Sequence, residues 1–264
     1  MSTSKGDALL TTIRDLARRR GRERRGLALA EGVRLVEEAL AAGVRIRAAA
    51  VSPHLESSAR GAALKDALVQ AAVPLTPMDD PALAGLADTE HPQGVIAVIE
   101  PPRWSWAELQ AGPGSAVVAL DALQDPGNVG TILRTAHALG AAGVLALKGT
   151  AELHNPKVVR GSMGALFRMP AFAATAEELL RWTVDNGVAL WVAEAGGTPI
   201  GRFERGGPTS PPVCVVFGNE GAGVGAGLTA RAARRVAIPL AKDAESLNVA
   251  VAAGIILYEV LRER

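Results

Sequence analysis

A chain of 264 residues, 48% of them hydrophobic, can fill one large domain or two small ones. Its 28 Lys plus Arg stand against 27 Asp plus Glu, and the net charge of +1 by itself calls for no nucleic-acid partner. No apolar run approaches the roughly 18 residues of a membrane span. The four histidines, His54, His91, His137 and His154, lack ligand spacing with one another or with Cys214, so no metal site is expected. Cys214 is the single cysteine and cannot form an intrachain disulfide, which fits a reducing cytoplasm.

In chain order, the pattern predicts a helix over 8–20. Residues 13–27 concentrate Arg14, Arg18, Arg19, Arg20, Arg22, Arg24 and Arg25 against Asp15 and Glu23 alone. Such a cluster either neutralises phosphates, with salt-dependent affinity, or is a solvated helix end. It has a faint likeness to a transit peptide, but it runs into folded-type sequence, and a cleaved leader is not expected. A strand at 27–30 leads to an amphipathic helix with Val33, Val36 and Leu40 on one face, ended by Gly43. A strand over 45–51, a helix over 59–71, a short strand over 73–75 and a strand after His91-Pro-Gln-Gly complete a small α/β unit over 1–100.

Proline and glycine at 101–114 punctuate the chain as a linker. Strands at 116–120, 144–147, 188–193, 213–217 and 235–240 follow, with helices after Asn128, over 176–186, near Leu228 and over 247–261. Continuous apolar strands between helices predict an α/β domain over 115–264, with a mostly parallel sheet covered by helices on both faces. Its ligand site belongs at the carboxyl ends of the strands.

Three loops stand at such ends. In Asp125-Pro-Gly-Asn, Gly127 allows a positive φ and Asn128 is able to cap the following helix. Arg134, about two turns in, is either solvent face or an anion or ribose contact. In Phe217-Gly-Asn-Glu-Gly-Ala-Gly-Val-Gly, Gly221, Gly223 and Ala226 give G-x-G-x-x-A with Asp243 downstream. A dinucleotide reading is weak, because Glu220 would face a pyrophosphate and a single strand and helix remain beyond. Backbone shown to an uncharged adenine or ribose suits the loop better. The third loop, 241–245, follows a strand ended by Pro239 and precedes Ser246, which suits an N-cap. Its helix opens with Ala250, Ala252, Ala253 and Gly254, whose small side chains let other backbone come close.

Taken together, Asp125-Pro-Gly-Asn-Val-Gly-Thr-Ile-Leu-Arg, Phe217-Gly-Asn-Glu-Gly and Ile238-Pro-Leu with Glu245-Ser-Leu-Asn-Val-Ala-Val resemble the SpoU (TrmH-like) family of RNA ribose 2′-O-methyltransferases. That family is the SPOUT branch with a deep trefoil knot. His154-Asn-Pro-Lys-Val-Val-Arg-Gly-Ser-Met-Gly is similar to it as well. The stretch from Arg22 through Glu31-Gly-Val-Arg to Leu40, with His91-Pro-Gln-Gly-Val, is similar to the L30-like substrate-binding domain many members carry. The resemblance implies a C-terminal knot, whose crossing the small residues at 250–254 would permit. It also implies a homodimer and S-adenosylmethionine as donor. The donor would be held around Phe217, Gly218, Asn219, Gly221, Ile238, Leu240, Ser246 and Leu247, with a further contact at Ala195, Gly196 and Gly197.

By the same resemblance, Asn128, Arg134, Glu220, Ser246 and Asn248 are the polar catalytic residues. The RNA, rRNA or tRNA, would meet Arg18, Arg19, Arg20, Arg22, Arg24, Arg25, Arg34 and Arg160. Lys242 and Asp243 stand where many members carry glycine. An arginine keeps its proton in any ordinary setting, so Arg134 is expected to anchor a phosphate and lower the hydroxyl's pKa, with proton removal by a neutral arginine a minor route. Two other readings stay open: a catalytically silent RNA-binding or ribosome-assembly protein of the same fold, and a nucleotide-dependent oxidoreductase.

Overall fold

The computed structural model describes residues 5–202, 210–244 and 246–261. Two compact units emerge, Met1–Pro102 with His154–Arg168, and Arg103–Leu153 with Met169–Arg264. Residues 154–168, which the sequence reading places in the second domain, thus group with the first.

The first unit opens with α1 (Lys5–Leu16) and α2 (Arg19–Arg25) where one helix over 8–20 is expected. Arg18 breaks it with an extended backbone, φ −100° and ψ 141°. The helices cross at Gly21, where a Cβ would lie 2.0 Å from the Asp15 carbonyl oxygen. Then come β1 (Ala28–Glu31), α3 (Val33–Ala41), β2 (Arg45–Val51), α4 (Ala59–Gln70), β3 (Leu75–Pro77), α5 (Asp80–Ala84) and β4 (Val95–Glu100). The sheet runs β1-β4-β2-β3, with β4 antiparallel to both neighbours and β3 parallel to β2. The short strand falls later than the expected 73–75, because the Val73 N–H is taken by the Leu68 carbonyl at the end of α4. Leu9, Ile13 and Leu16 of α1 close the core over Leu29, Ile96 and Val98.

The second unit contains β5 (Ala116–Asp121), α6 (Pro126–Ala138) and β6 (Gly143–Ala146); α7 (Pro156–Gly161) lies in the segment that groups with the first unit and packs on β1. After it follow β7 (Ala171–Ala173), α8 (Ala176–Asp185), β8 (Ala189–Pro199), β9 (Val213–Gly218), α9 (Ala226–Thr229), β10 (Arg234–Ala237) and α10 (Val249–Leu261). The order is β10-β8-β9-β5-β6-β7 and every pairing is parallel. Helices cover both faces as the continuous apolar runs require, and Ala116 to Leu120 of β5 are fully buried. Thr175 and Glu178 form a reciprocal capping box at the start of α8.

Two irregularities shape the site end of this sheet. The β10–β8 register jumps from Arg235 opposite Val192 to Val236 opposite Thr198, so 193–197 leave the ladder. The last strand stops at Ala237, short of Pro239, and the chain returns to pack α10 on α6 and β5 near the middle of the sheet. The knot that the resemblance implies would involve this return. Ala250 and Ala253 are buried there; the Cβ missing at Gly254 would meet Thr135 Cγ2 at an ordinary 3.6 Å.

Candidate active site

Each loop at the strand ends is fixed by its own polar groups. Asp125, rather than Asn128, caps α6, its Oδ1 accepting from the Gly127 N–H at 2.8 Å with Pro126 in the first turn. That leaves the Asn128 amide free to act in the site. In the glycine loop, Asn219 Oδ1 accepts from the Gly221 and Ala222 N–H groups, both at 3.0 Å, and its Nδ2 donates to the Ala122 carbonyl. Gly218 is obligatory, since a Cβ there would lie 2.2 Å from the Gly223 carbonyl carbon. Asp121, at the end of β5, accepts from the Gly225 N–H at 2.8 Å and pins the far side of the same loop.

Asn248, not Ser246, caps α10. Its Oδ1 accepts from the Ala250 N–H at 2.9 Å, and α10 starts at Val249 rather than at 247. Asn248 Nδ2 then donates to Asn128 Oδ1 at 2.9 Å, and Asn128 Nδ2 donates to Glu220 Oε1 at 2.8 Å. Because helix N–H groups must meet an oxygen, and a carboxylate oxygen accepts, both amides can point only one way. The three loops are therefore joined by one directed chain of side-chain hydrogen bonds.

Beside this chain lies a cavity of about 470 Å³. Phe217, Val236, Ile238, Leu240, Leu247, Ala252 and Ile256 give it apolar walls, and Asn219, Glu220, Ser246, Asn248 and Glu194 are its polar groups. Of the expected donor-binding residues, Ala195, Phe217, Gly218, Asn219, Gly221, Ile238, Leu240, Ser246 and Leu247 line it; Gly196 and Gly197 do not. Gly197 instead packs on β10, its hypothetical Cβ 2.8 Å from the Arg235 carbonyl. Glu194, which also approaches Arg235 at 3.5 Å, and Asp121 are absent from the sequence expectation. Asp121 is a carboxylate at the carboxyl end of a predicted parallel strand, a readable signal; Glu194 arrives only through the skipped register of β8.

Of the five expected catalytic residues, the structure gathers Asn128, Glu220, Ser246 and Asn248 and leaves Arg134 apart. Arg134 is exposed, with no hydrogen bond or ion pair among the described residues, and does not line the cavity. It lies six residues beyond Asn128, which at 3.6 residues per turn separates the two by roughly 120° around the axis of α6. Lys242 and Asp243 are exposed and also outside the cavity lining; Glu245 lies outside the described residues.

The arginine cluster is divided. Arg22 is buried and donates to the Leu16 and Ala17 carbonyls at 2.9 and 3.0 Å, so it ties the α1–α2 turn instead of facing RNA. Arg24 and Arg25 both grip Asp15, at 2.6 and 2.5 Å, and the bonds from Arg25 first and Arg24 second hold the Asp15 carboxyl below its ordinary pKa. Arg19 pairs with Glu23, and Arg160 with Asp88 at 2.8 Å. Arg18, Arg20 and Arg34 are exposed and have no side-chain partner among the described residues.

Comparison with known proteins agrees with this fold. The SpoU rRNA Methylase family model matches residues 115–258, and the MRM3-like substrate binding domain matches 9–97. The chain belongs to the SpoU rRNA methylase family. It is 32% identical, over 99% of its length and 93% of the other, to a tRNA/rRNA methyltransferase of Synechocystis described as uncharacterized. It is 35% identical to the 23S rRNA (guanosine(2553)-2′-O)-methyltransferase RlmP of Bacillus subtilis, over 69% of this chain and 71% of that one. The crystal structure of the SpoU methyltransferase AviRb from Streptomyces viridochromogenes, in complex with AdoMet, superposes with a TM-score of 0.85 at 30% identity, covering 97% of this chain and 98% of that chain.

Proposed function

We propose that this chain transfers the methyl group of S-adenosylmethionine to a ribose 2′-hydroxyl of RNA, and that Asn128, Glu220, Ser246 and Asn248 form the polar part of its active site. The observation that carries the reading is the directed chain from Asn248 through Asn128 to Glu220, which ties the three strand-end loops together beside a cavity that the second and third of them line. The residues present fit the donor. At about 470 Å³ the cavity falls in the ordinary range for small-molecule sites, ~300–1,000 Å³. Its walls are apolar enough for an adenine, and the carboxylates of Glu194 and Glu220 suit a cationic ligand. The glycine loop lets backbone approach closely.

When bound, S-adenosylmethionine supplies an electrophilic methyl group on a sulfonium. The protein's part is to hold the ribose hydroxyl in line and ease its deprotonation. Asn128 and Glu220, held in one polarity, orient the ribose. Arg134 has no competing partner among the described residues, and its role is to grip an adjacent phosphate and favour the developing alkoxide electrostatically. The exposed arginines Arg18, Arg20 and Arg34 add phosphate affinity.

The assembly is a homodimer. Val251, Ile255 and Tyr258 form an exposed stripe on α10, at 51, 39 and 53% exposure, with the i, i+4, i+7 spacing of a buried helix face. A second copy of the chain would cover it. Among the described residues no helix is long and apolar enough to cross a membrane; a single buried free thiol suits a cytoplasmic protein.

Titration calorimetry with S-adenosylmethionine, together with mapping of 2′-O-methyl groups in rRNA and tRNA from cells with and without the gene, tests the reading. Binding of the donor and loss of one modification are expected, and since RlmP is named for 23S rRNA, that RNA is the first to map. RNA binding without donor binding would instead establish the silent RNA-binding alternative.

A further inference from the structure

Two motifs at the front of the chain, Glu31-Gly-Val-Arg and His91-Pro-Gln-Gly, have no part in the donor cavity. They meet in the first unit, where Gln93 Oε1 accepts from the Val33 N–H at 2.9 Å. Beside that bond is a second cavity of about 250 Å³, whose polar lining is Arg34, His54, Ser57, Ser58, Arg60 and Gln93, with no carboxylate. Its geometry depends on two glycines with positive φ. At Gly32 (φ +94°) a Cβ would press to 3.0 Å on Gln93 Oε1, and at Gly94 (φ +76°) a Cβ would lie 2.3 Å from the Leu55 nitrogen.

The lining offers donors. The Gln93 oxygen is engaged, so this amide has N–H groups to offer. Ser58 Oγ accepts from the Gly61 N–H at 3.1 Å, which leaves its hydroxyl proton free. Arg60 is held by Glu37 through Nε and one terminal nitrogen, leaving the other. Arg34 is exposed and unpartnered among the described residues. A cationic ligand would repel Arg34 and a neutral one would leave its charge unbalanced, whereas a phosphodiester carries the opposite charge, has acceptors alone and matches a guanidinium fork.

We propose that this pocket is a phosphate site which grips the backbone of the substrate RNA, with Arg34 as the principal contact and Gln93, Ser58 and Arg60 as supporting donors. It rests on the reading of the chain as an RNA methyltransferase.

The test is binding of an unmodified 23S rRNA transcript across a salt series, with methyl-transfer kinetics on the same RNA. Arg34→Gln is expected to weaken binding roughly tenfold, the scale of one lost charge-assisted hydrogen bond. The slope of log affinity against log salt should fall by about 0.7–0.9. KM for RNA should rise while kcat, donor affinity and the melting temperature stay put. Arg181→Gln, at an exposed position of α8 outside the pocket's lining, should change none of these. Gln93→Glu keeps the acceptor for Val33 but replaces its donors with a negative charge, and should weaken RNA binding at least as much. Unchanged affinity and slope in both pocket variants would overturn the proposal. So would a pocket that binds inorganic phosphate in an Arg34-dependent way while RNA binding is unaffected, which would make it a site for free anions. Failure of the wild-type protein to bind the donor or methylate any RNA would count against the functional reading instead.

Discussion

Asn248 donates its side-chain amide to Asn128 at 2.9 Å while its own oxygen caps α10 at the Ala250 N–H. One residue thus closes a helix and sets the direction of the hydrogen bonds between the three loops. Asn248→Asp should separate the two roles. The carboxylate still caps, but it has no proton for Asn128, which must then turn its N–H groups away from Glu220. Methyl transfer is expected to fall about a hundredfold, the scale of a small misplacement at a reacting centre, with little change in melting. Asn248→Ala should lose the cap as well, at about 1 kcal/mol of stability. Equal transfer by Asn248→Asp and wild type would remove the directed chain from the mechanism.

Arg134 is exposed and has no partner among the described residues, so its side chain contributes little to the fold. Arg134→Ala should leave stability within about 0.5 kcal/mol while lowering kcat/KM by roughly 10²–10³, the range for loss of one charge-stabilising donor. Arg134→Lys retains the charge without the planar fork and should fall between. Near-normal methylation of the true substrate by Arg134→Ala would show that its isolation from the cavity is real and that the residue is surface.

The arginine-rich stretch should behave as two populations. Arg22→Ala strips the buried Leu16 carbonyl and the Ala17 carbonyl of their donor, at roughly 1–3 kcal/mol, and a melting curve reads that loss directly. The double variant Arg18→Gln, Arg20→Gln should melt normally and flatten the salt dependence of RNA binding. A salt slope that Arg22→Ala alters at wild-type stability would reverse this division.

Cys214 is fully buried in β9, and burial pushes its thiol from 9.0 up to about 12. The native thiol should therefore resist alkylation at pH 8 until the chain unfolds, its labelling following the unfolding transition. Since the folded pKa is the higher one, the unfolded chain releases its proton first. The stabilisation is whole below pH 9 and is lost as the pH rises towards about 12. Cys214→Ser should flatten part of that alkaline decline in denaturant titrations, and an identical decline would place its origin elsewhere.

Much of the fold is legible in the residues. Uninterrupted apolar runs such as Val213 to Phe217 predict strands buried on both faces, and the six-stranded parallel sheet follows. Three polar loops predict where the ligand goes, and Asn128, Glu220 and Asn248 are indeed brought together from positions up to 120 residues apart. The errors are local competitions between equivalent groups. Asn128 and Asp125 can both cap α6, as Ser246 and Asn248 can both begin α10, and the winner depends on which oxygen reaches the free N–H groups once neighbouring loops are in place.

The sequence by itself determined the order of elements, the parallel sheet and the identity of the loop residues, because apolar periodicity and turn chemistry act over a few residues. Tertiary structure alone decided which arginines are structural, which amide caps and which donates, and that Ala193 and Glu194 reach the cavity. Each of those outcomes is a contact or a register between segments distant in sequence. Burial of Arg22 under a helix crossing, and the skipped register between β8 and β10, leave no periodic trace to read.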